Sequence, residues 1–197
     1  TTCRVTDGDW NRARLYAKSR NVWEHTLRET SSGEAPWYVV EGADARYRDL
    51  TVGRILLETL TRANAAAAAR TRPRPAKPAT TAPAVIDNVK LIRDLDLAQK
   101  LDDRAYEREL ERLQGRLAKL TRRTRFAQHS LVLAFEGTDA AGKGGAIRRV
   151  AGALDPRQYT IVPVAAPTDE EKAHPYLWRF WRQVPRQGGI TIFDRSW

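Results

Sequence analysis

The chain has 197 residues, 42% of them apolar and 29% charged, which is enough to bury a core and excludes a globally disordered chain. Its 34 Lys and Arg against 24 Asp and Glu give a formal net charge of +10, a balance that favours polyanionic partners: nucleic acid, nucleotides, inorganic phosphate chains or an anionic membrane surface. The single cysteine, Cys3, excludes an internal disulfide framework and a Cys-based zinc site; no run of about 18 apolar residues marks a transmembrane helix, and no secretory segment opens the chain. A reducing, cytoplasmic setting is the simplest expectation. The chain holds no Met, and it stops on an apolar strand pattern running into charged residues, so it reads as a piece of something longer.

The elements follow in three regions. In residues 1–60, apolar positions Leu15, Tyr16, Val22, Trp23 and Leu27 predict a helix across 10–30. A turn at 31–33 leads to Pro36-Trp37-Tyr38-Val39-Val40, which reads as a buried strand. Helical spacing resumes over 44–60 through Tyr47, Leu50, Ile55 and Leu56. Residues 61–84 change character. The alanines at 65–69 can extend the preceding helix, whereas Pro73, Pro75, Pro78 and Pro83, interleaved with Arg70, Arg72, Arg74 and Lys77, predict an extended linker. That basic stretch is either a polyanion contact or a solvated tether.

Residues 85–197 carry the tightest pattern. Asp102 and Asp103 stand where an N-cap and an acidic first turn belong. Tyr106, Leu110, Leu113, Leu117 and Leu120 then make a packing stripe, too short for a coiled coil, on a helix ending at Arg122, Arg123 and Arg125. A strand at 131–136 comes next, then a Gly-rich loop, then a helix from Lys143 to about 153. A strand at 159–164 follows. Thr168 and Glu171 form a capping box opening a helix through Leu177, Trp178 and Trp181, and 190–193 is a third short strand. Strands alternating with helices at this spacing predict a parallel α/β sheet flanked by helices.

The loop carries the chemistry. Gly137-Thr138-Asp139-Ala140-Ala141-Gly142-Lys143-Gly144 matches the Gly-x-x-x-x-Gly-Lys pattern between a buried strand and a helix. Glycines let backbone N–H groups turn inward around phosphate oxygens, the helix N-terminus adds partial positive charge, and Lys143 supplies a mobile ammonium. The bland alternative is an ordinary strand–helix turn. The Ser or Thr that helps hold Mg²⁺ in many such loops is Gly144 here, so Asp139 is the available carboxylate inside the loop. Asp194, at the end of the third strand, stands where a Walker-B-type aspartate belongs, or is plain turn chemistry; Arg195 beside it binds a phosphate or pairs with an acidic neighbour.

Phe135-Glu136-Gly137-Thr138-Asp139-Ala140-Ala141-Gly142-Lys143-Gly144-Gly145-Ala146-Ile147 resembles the P-loop of the second polyphosphate kinase family. Leu154-Asp155-Pro156-Arg157, Ala166-Pro167-Thr168-Asp169-Glu170-Glu171 and Tyr176-Leu177-Trp178-Arg179-Phe180-Trp181 resemble it in the same order, and Asp194-Arg195-Ser196-Trp197 resembles its second motif. The stretch from Asp9-Trp10 through Ala35-Pro36-Trp37-Tyr38-Val39-Val40 to Asp44-Ala45-Arg46-Tyr47 resembles the carboxyl-terminal end of the same fold. The resemblance implies two tandem copies: 1–60 the end of a first, 61–84 a linker, 85–197 the first half of a second P-loop kinase-like domain.

The resemblance further implies a polyphosphate:AMP phosphotransferase, since tandem copies mark the members that phosphorylate AMP. The same chemistry on ADP or GDP is the near alternative, and a nucleic-acid-binding P-loop ATPase the more distant one. Carried over by position, Gly137, Ala140, Ala141, Gly142, Lys143, Gly144 and Gly145 would hold phosphate. Asp139 and Asp194 would serve Mg²⁺, and Arg195 would contact the phosphate chain. His174, followed by Pro175, is expected to be structural rather than a phosphorylated nucleophile. The implied partners are inorganic polyphosphate and AMP or another adenine or guanine nucleotide, with no membrane, nucleic acid disfavoured and a homo-oligomer allowed. The piece alone is expected to be inactive.

Overall fold

A computed structural model describes residues 10, 14–33, 35–70, 92, 95–124 and 126–196, without the side chains of 67–70 and 139. The chain divides into two compact units, one of residues 1–39 with 75–96 and one of 40–74 with 97–197.

In the first unit, helix α1 (Tyr16–Thr30) forms where the apolar spacing predicts it. Its end is tied back by the following segment: the Trp37 indole donates to Thr30 Oγ1 at 2.8 Å and the Trp37 amide to Ser31 Oγ at 3.2 Å. Tyr16 and Trp23 meet edge to face with ring centroids 6.2 Å apart. The predicted strand at 36–40 does not form; the segment joins no ladder, and Tyr38 is 45% exposed. β-forming residues do not make a strand without a neighbour to pair with.

The second unit carries the α/β architecture. Helix α2 (Ala45–Arg70) starts at Asp44, whose carboxylate accepts the Tyr47 amide at 2.7 Å, and runs on through the alanines. Helix α3 (Asp103–Thr121) starts where the sequence places its cap: the Asp102 carboxylate accepts the Ala105 amide at 3.1 Å. Strand β1 (Leu131–Phe135) enters the loop, helix α4 (Lys143–Ala151) leaves it, and β2 (Tyr159–Pro163) and β3 (Ile190–Asp194) complete a parallel sheet in the order β1–β3–β2. The central strand β3 is buried along Ile190–Phe193 and apolar there except at Thr191, as expected for a strand covered on both faces.

The core joins helices to sheet. Leu50, Leu56, Leu57 and Leu60 of α2 meet Leu113, Leu117 and Leu120 of α3, with Phe126, Ile147, Val150, Ile190 and Ile192 completing the cluster. Each fully buried aliphatic of this kind contributes about 1.5–3 kcal/mol relative to exposure. Thus α2, which the sequence assigns to a first copy ending at 60, packs on α3 and α4 beside the loop, and the unit boundary falls at 39/40. Its leucine stripe finds its apolar partner there. The proline-rich part of the linker, 71–84, lies outside the described residues, as does Cys3.

The Thr168–Glu171 capping box is formed in both directions, Glu171 N to Thr168 Oγ1 at 3.2 Å and Thr168 N to Glu171 Oε2 at 2.9 Å. The helix it opens is shorter than the spacing predicts. It stops at α5 (Asp169–Lys172) and resumes as α6 (Trp178–Trp181). Pro175 lies between them; it lacks an N–H and disfavours helical backbone at His174.

Candidate functional site

The register of the sheet builds the site. Phe135 and Asp194 are paired Cα partners at the carboxyl ends of β1 and β3, so the loop leaves the sheet directly beside Asp194. This is the edge of an open parallel sheet where ligands bind. Residues 139–141 form one 3-10 turn, closed by the Ala141 amide on Thr138 O at 3.1 Å. Gly137 and Gly142 take positive φ, +146° and +77°, backbone that side chains rarely adopt. At Gly142 the chain reverses into α4, whose first amides, on Lys143 and Gly144, have no intrahelical acceptor. Gly142 O accepts the next two, from Gly145 at 3.0 Å and Ala146 at 3.2 Å.

Lys143 folds back over the loop. Its Nζ donates to Gly137 O at 2.9 Å and Thr138 O at 2.8 Å. An ammonium has three N–H donors, so one is left for a third acceptor. The strand turn opposite is equally constrained. Arg195 sits at φ +73°, and its amide donates to Phe135 O at 2.9 Å. Ser196 donates from N and Oγ to Glu136 Oε1, at 2.6 and 2.8 Å. The turn after β3 is therefore latched to the start of the loop.

Of the residues the sequence singles out, the loop backbone from Gly137 to Gly145, Lys143, Asp194 and Arg195 thus share one edge of the sheet. The Asp139 side chain lies outside the described residues. The Asp194 carboxylate is half-buried and accepts no hydrogen bond among the described residues. No group of three or more His, Cys, Asp or Glu gathers at a metal-binding distance among those residues. A carboxylate with no hydrogen bond among the described residues, beside a phosphate-type loop, suits Mg²⁺, which takes one or two carboxylates, phosphate oxygens and waters rather than an all-protein cage. His174 is exposed and stacks on Trp178 with ring centroids 3.9 Å apart.

Two contributors escape the motif reading. Glu136 is the latch just described. Arg48, on α2, lies against the loop from behind, its Nη1 3.5 Å from Ala141 O. Arg48 is 93 residues from Ala141 in the chain, and nothing in its local pattern points to a loop.

A parallel sheet whose first strand runs into a Gly-rich loop capped by lysine, with an aspartate closing the neighbouring strand, defines a P-loop α/β protein. The family model described as Polyphosphate kinase 2 matches residues 2–68 and 100–197, and the chain belongs to that family. It is 58% identical over 191 residues to a polyphosphate:AMP phosphotransferase of Pseudomonas aeruginosa, covering 96% of this chain and 38% of that protein. It is 52% identical over 197 residues to a protein of the same description from Pseudomonas syringae pv. tomato, covering 98% and 38%. A GDP-polyphosphate phosphotransferase of Mycobacterium tuberculosis is 44% identical over 99 residues, covering 50% of this chain and 34% of that protein. Among solved structures, a crystal structure described as a polyphosphate kinase 2 from Pseudomonas aeruginosa matches with TM-score 0.54 and 53% identity, covering 98% of this chain and 38% of that one. The chain therefore spans about 38% of the length of these first relatives.

Proposed function

We propose that the chain carries the phosphate-binding half of a phosphotransferase that moves a phosphoryl group from inorganic polyphosphate to AMP, giving ADP. The observation that carries this reading is the reach of the likeness. Two relatives described as polyphosphate:AMP phosphotransferases, from Pseudomonas aeruginosa and Pseudomonas syringae pv. tomato, match along 96–98% of the chain, whereas a third of that description, from Acinetobacter johnsonii, matches 49% and the GDP-polyphosphate relative 50%. The layout that goes with it is tandem: 1–60 the end of a first copy, 61–84 the linker, 85–197 the first half of a second.

The loop residues divide the work by their chemistry. The amides from Gly137 to Gly145 and the N-terminus of α4 receive phosphate oxygens, and the Lys143 ammonium follows the charge of the phosphoryl group in transit. Asp194, and Asp139 inside the loop, are the residues that would hold Mg²⁺, which when bound neutralises phosphate charge. Arg195 contacts the phosphate chain. Transfer is in-line and needs no covalent enzyme intermediate; positioning and charge neutralisation suffice.

No described helix is long and apolar enough to cross a membrane. The reading places the enzyme in the cytoplasm, with polyphosphate and a nucleotide as partners and no duplex nucleic acid, and it allows a homo-oligomer. This piece alone does not turn over. The test is the full-length protein given AMP, polyphosphate and Mg²⁺. ADP formation that stops when the metal is chelated supports the reading, and no product overturns it. Faster turnover on ADP or GDP than on AMP would move the acceptor assignment and leave the donor in place.

A further inference from the structure

Beneath the loop lies an ionic cluster, centred on a buried carboxylate, that none of the proposed chemistry uses. Asp49 on α2 has a side chain only 4% exposed, and neighbouring Arg48 only 12%. Arg48 Nε and Nη2 both donate to Asp49 Oδ1, at 3.1 and 3.0 Å. The other carboxylate oxygen accepts the Tyr106 hydroxyl of α3 at 3.2 Å and lies 3.7 Å from Arg149 Nε of α4. Arg149 donates in turn to the Tyr106 hydroxyl at 3.1 Å. One carboxylate therefore gathers donors from three helices and faces two guanidinium groups. A charge this deeply buried needs such partners, and the cluster keeps one positive charge in surplus.

Arg48 abuts the loop. A Cβ added at Gly142 would fall 1.8 Å from Arg48 Nη1 and 2.3 Å from its Cζ, and one at Gly145 3.0 Å from Nη2. The guanidinium plane thus lies on the backbone of the turn into α4, with Nη1 toward Ala141 O. An arginine offers five donors in a planar fork. Two are taken by Asp49, which fixes the plane, and a third faces the loop carbonyl.

We propose that Arg48 is a positioning residue for the phosphate loop: locked by Asp49, it holds the Ala141–Gly145 turn in its phosphate-binding shape and backs it with positive charge. The inference rests on the reading of that loop as a polyphosphate site. It adds that the segment preceding the linker, taken above as the end of a first copy, helps to build the site of the second. Glycine at 142 then has a second cause besides its φ, because the guanidinium occupies the space of a side chain.

The experiment uses the full-length protein, with R48A, R48K and D49N variants titrated with inorganic polyphosphate of defined chain length. A charge-assisted contact on the loop predicts that R48A weakens polyphosphate binding by about tenfold or more, while the KM for the nucleotide moves by less than about threefold. R48K restores part of the affinity, since it returns the charge without the planar fork. D49N keeps the volume and weakens binding in the same direction. Polyphosphate affinity within twofold of wild type in R48A, or in R48K and D49N should R48A not fold, overturns the inference. Wild-type protein that binds no polyphosphate sinks the functional reading instead. Amide exchange then decides this point alone: faster exchange at 138–146 in R48K, with β3 unchanged, upholds the positioning role, and unchanged exchange there refutes it.

Discussion

Glu136 and Ser196, 60 residues apart in the chain, are joined at one carboxylate oxygen, which accepts both the amide and the hydroxyl of Ser196. Between Asp194 and Ser196 stands Arg195 in left-handed backbone, φ +73°, a conformation that costs a non-glycine residue about 1–2 kcal/mol and needs outside support. The latch supplies that support from the first residue after β1 and ties the turn bearing Arg195 to the start of the loop.

Removing the latch should therefore affect turnover more than folding. Glu136→Ala in the full-length enzyme is expected to lower kcat by about tenfold to a hundredfold, the scale of hydrogen bonds to a charged acceptor. Its melting temperature should stay close to wild type, because the pair is exposed. Glu136→Gln keeps an acceptor oxygen and should recover part of the rate. Steady-state ADP formation and a thermal melt check both halves. A wild-type kcat in Glu136→Ala would show that the Arg195 turn holds its shape unaided.

Lys143 spans the loop, with two of its three protons on Gly137 O and Thr138 O. Lys143→Ala removes both the brace and the mobile charge, and loss of one preorganised charge at a transition state costs about a hundredfold or more in rate. Assay of ADP formation from AMP and polyphosphate should show activity all but abolished. If most activity survived, catalysis would reside in the other copy.

The sheet and the loop were legible because they rest on local rules. Strand β3 reads as an apolar run, α3 as a leucine stripe begun by Asp102, and the loop as two glycines and a lysine between strand and helix. The one long helix predicted near 168–181 fails at Pro175, a breaker visible in the sequence but outweighed by the periodicity of Leu177, Trp178 and Trp181. The strand predicted at 36–40 fails because pairing is a property of two segments, and no strand among the described residues pairs with it. Arg48 and Asp49 were illegible for a related reason. Their partners Ala141, Tyr106 and Arg149 lie 57 to 100 positions along the chain from one or the other, and no spacing rule reaches that far. Glu136 sat inside the recognised motif, yet its role depends on Ser196 being brought alongside by the parallel register of β1 and β3.

Gly142 is constrained twice, by φ +77° and by Arg48. Gly142→Ala pays about 1–2 kcal/mol for the backbone and also displaces the guanidinium. The two losses separate in a double-mutant cycle on polyphosphate binding in the full-length protein. Gly142→Ala alone should weaken binding by more than about tenfold. Arg48→Ala in the same chain should add less than it does in wild type, because the contact it removes is already broken. Strict additivity of the two changes would mean that Arg48 and Gly142 do not meet.

The turn after α4 gives a pH test with a definite sign. Arg157 holds Asp155 through two side-chain hydrogen bonds, Nε to Oδ1 at 3.1 Å and Nη2 to Oδ2 at 2.8 Å, and its backbone amide donates to Oδ1 at 3.0 Å. These bonds, the side-chain pair first, hold the Asp155 carboxyl well below the usual carboxylate range. A carboxyl whose folded value is depressed contributes stability that is fully present above its unfolded value, near 4, and is lost as the pH falls through the folded one. Asp155→Asn should therefore lower the melting temperature by a small, pH-independent amount from neutral pH down to about 5. The gap to wild type should close as the pH falls below about 4, since there the wild type begins to lose the same contribution. High salt should shrink the neutral-pH difference, because the pair is open to solvent and screened. Melts of both proteins across the acid range check it, and a gap that widened as the pH fell would contradict the depressed carboxyl.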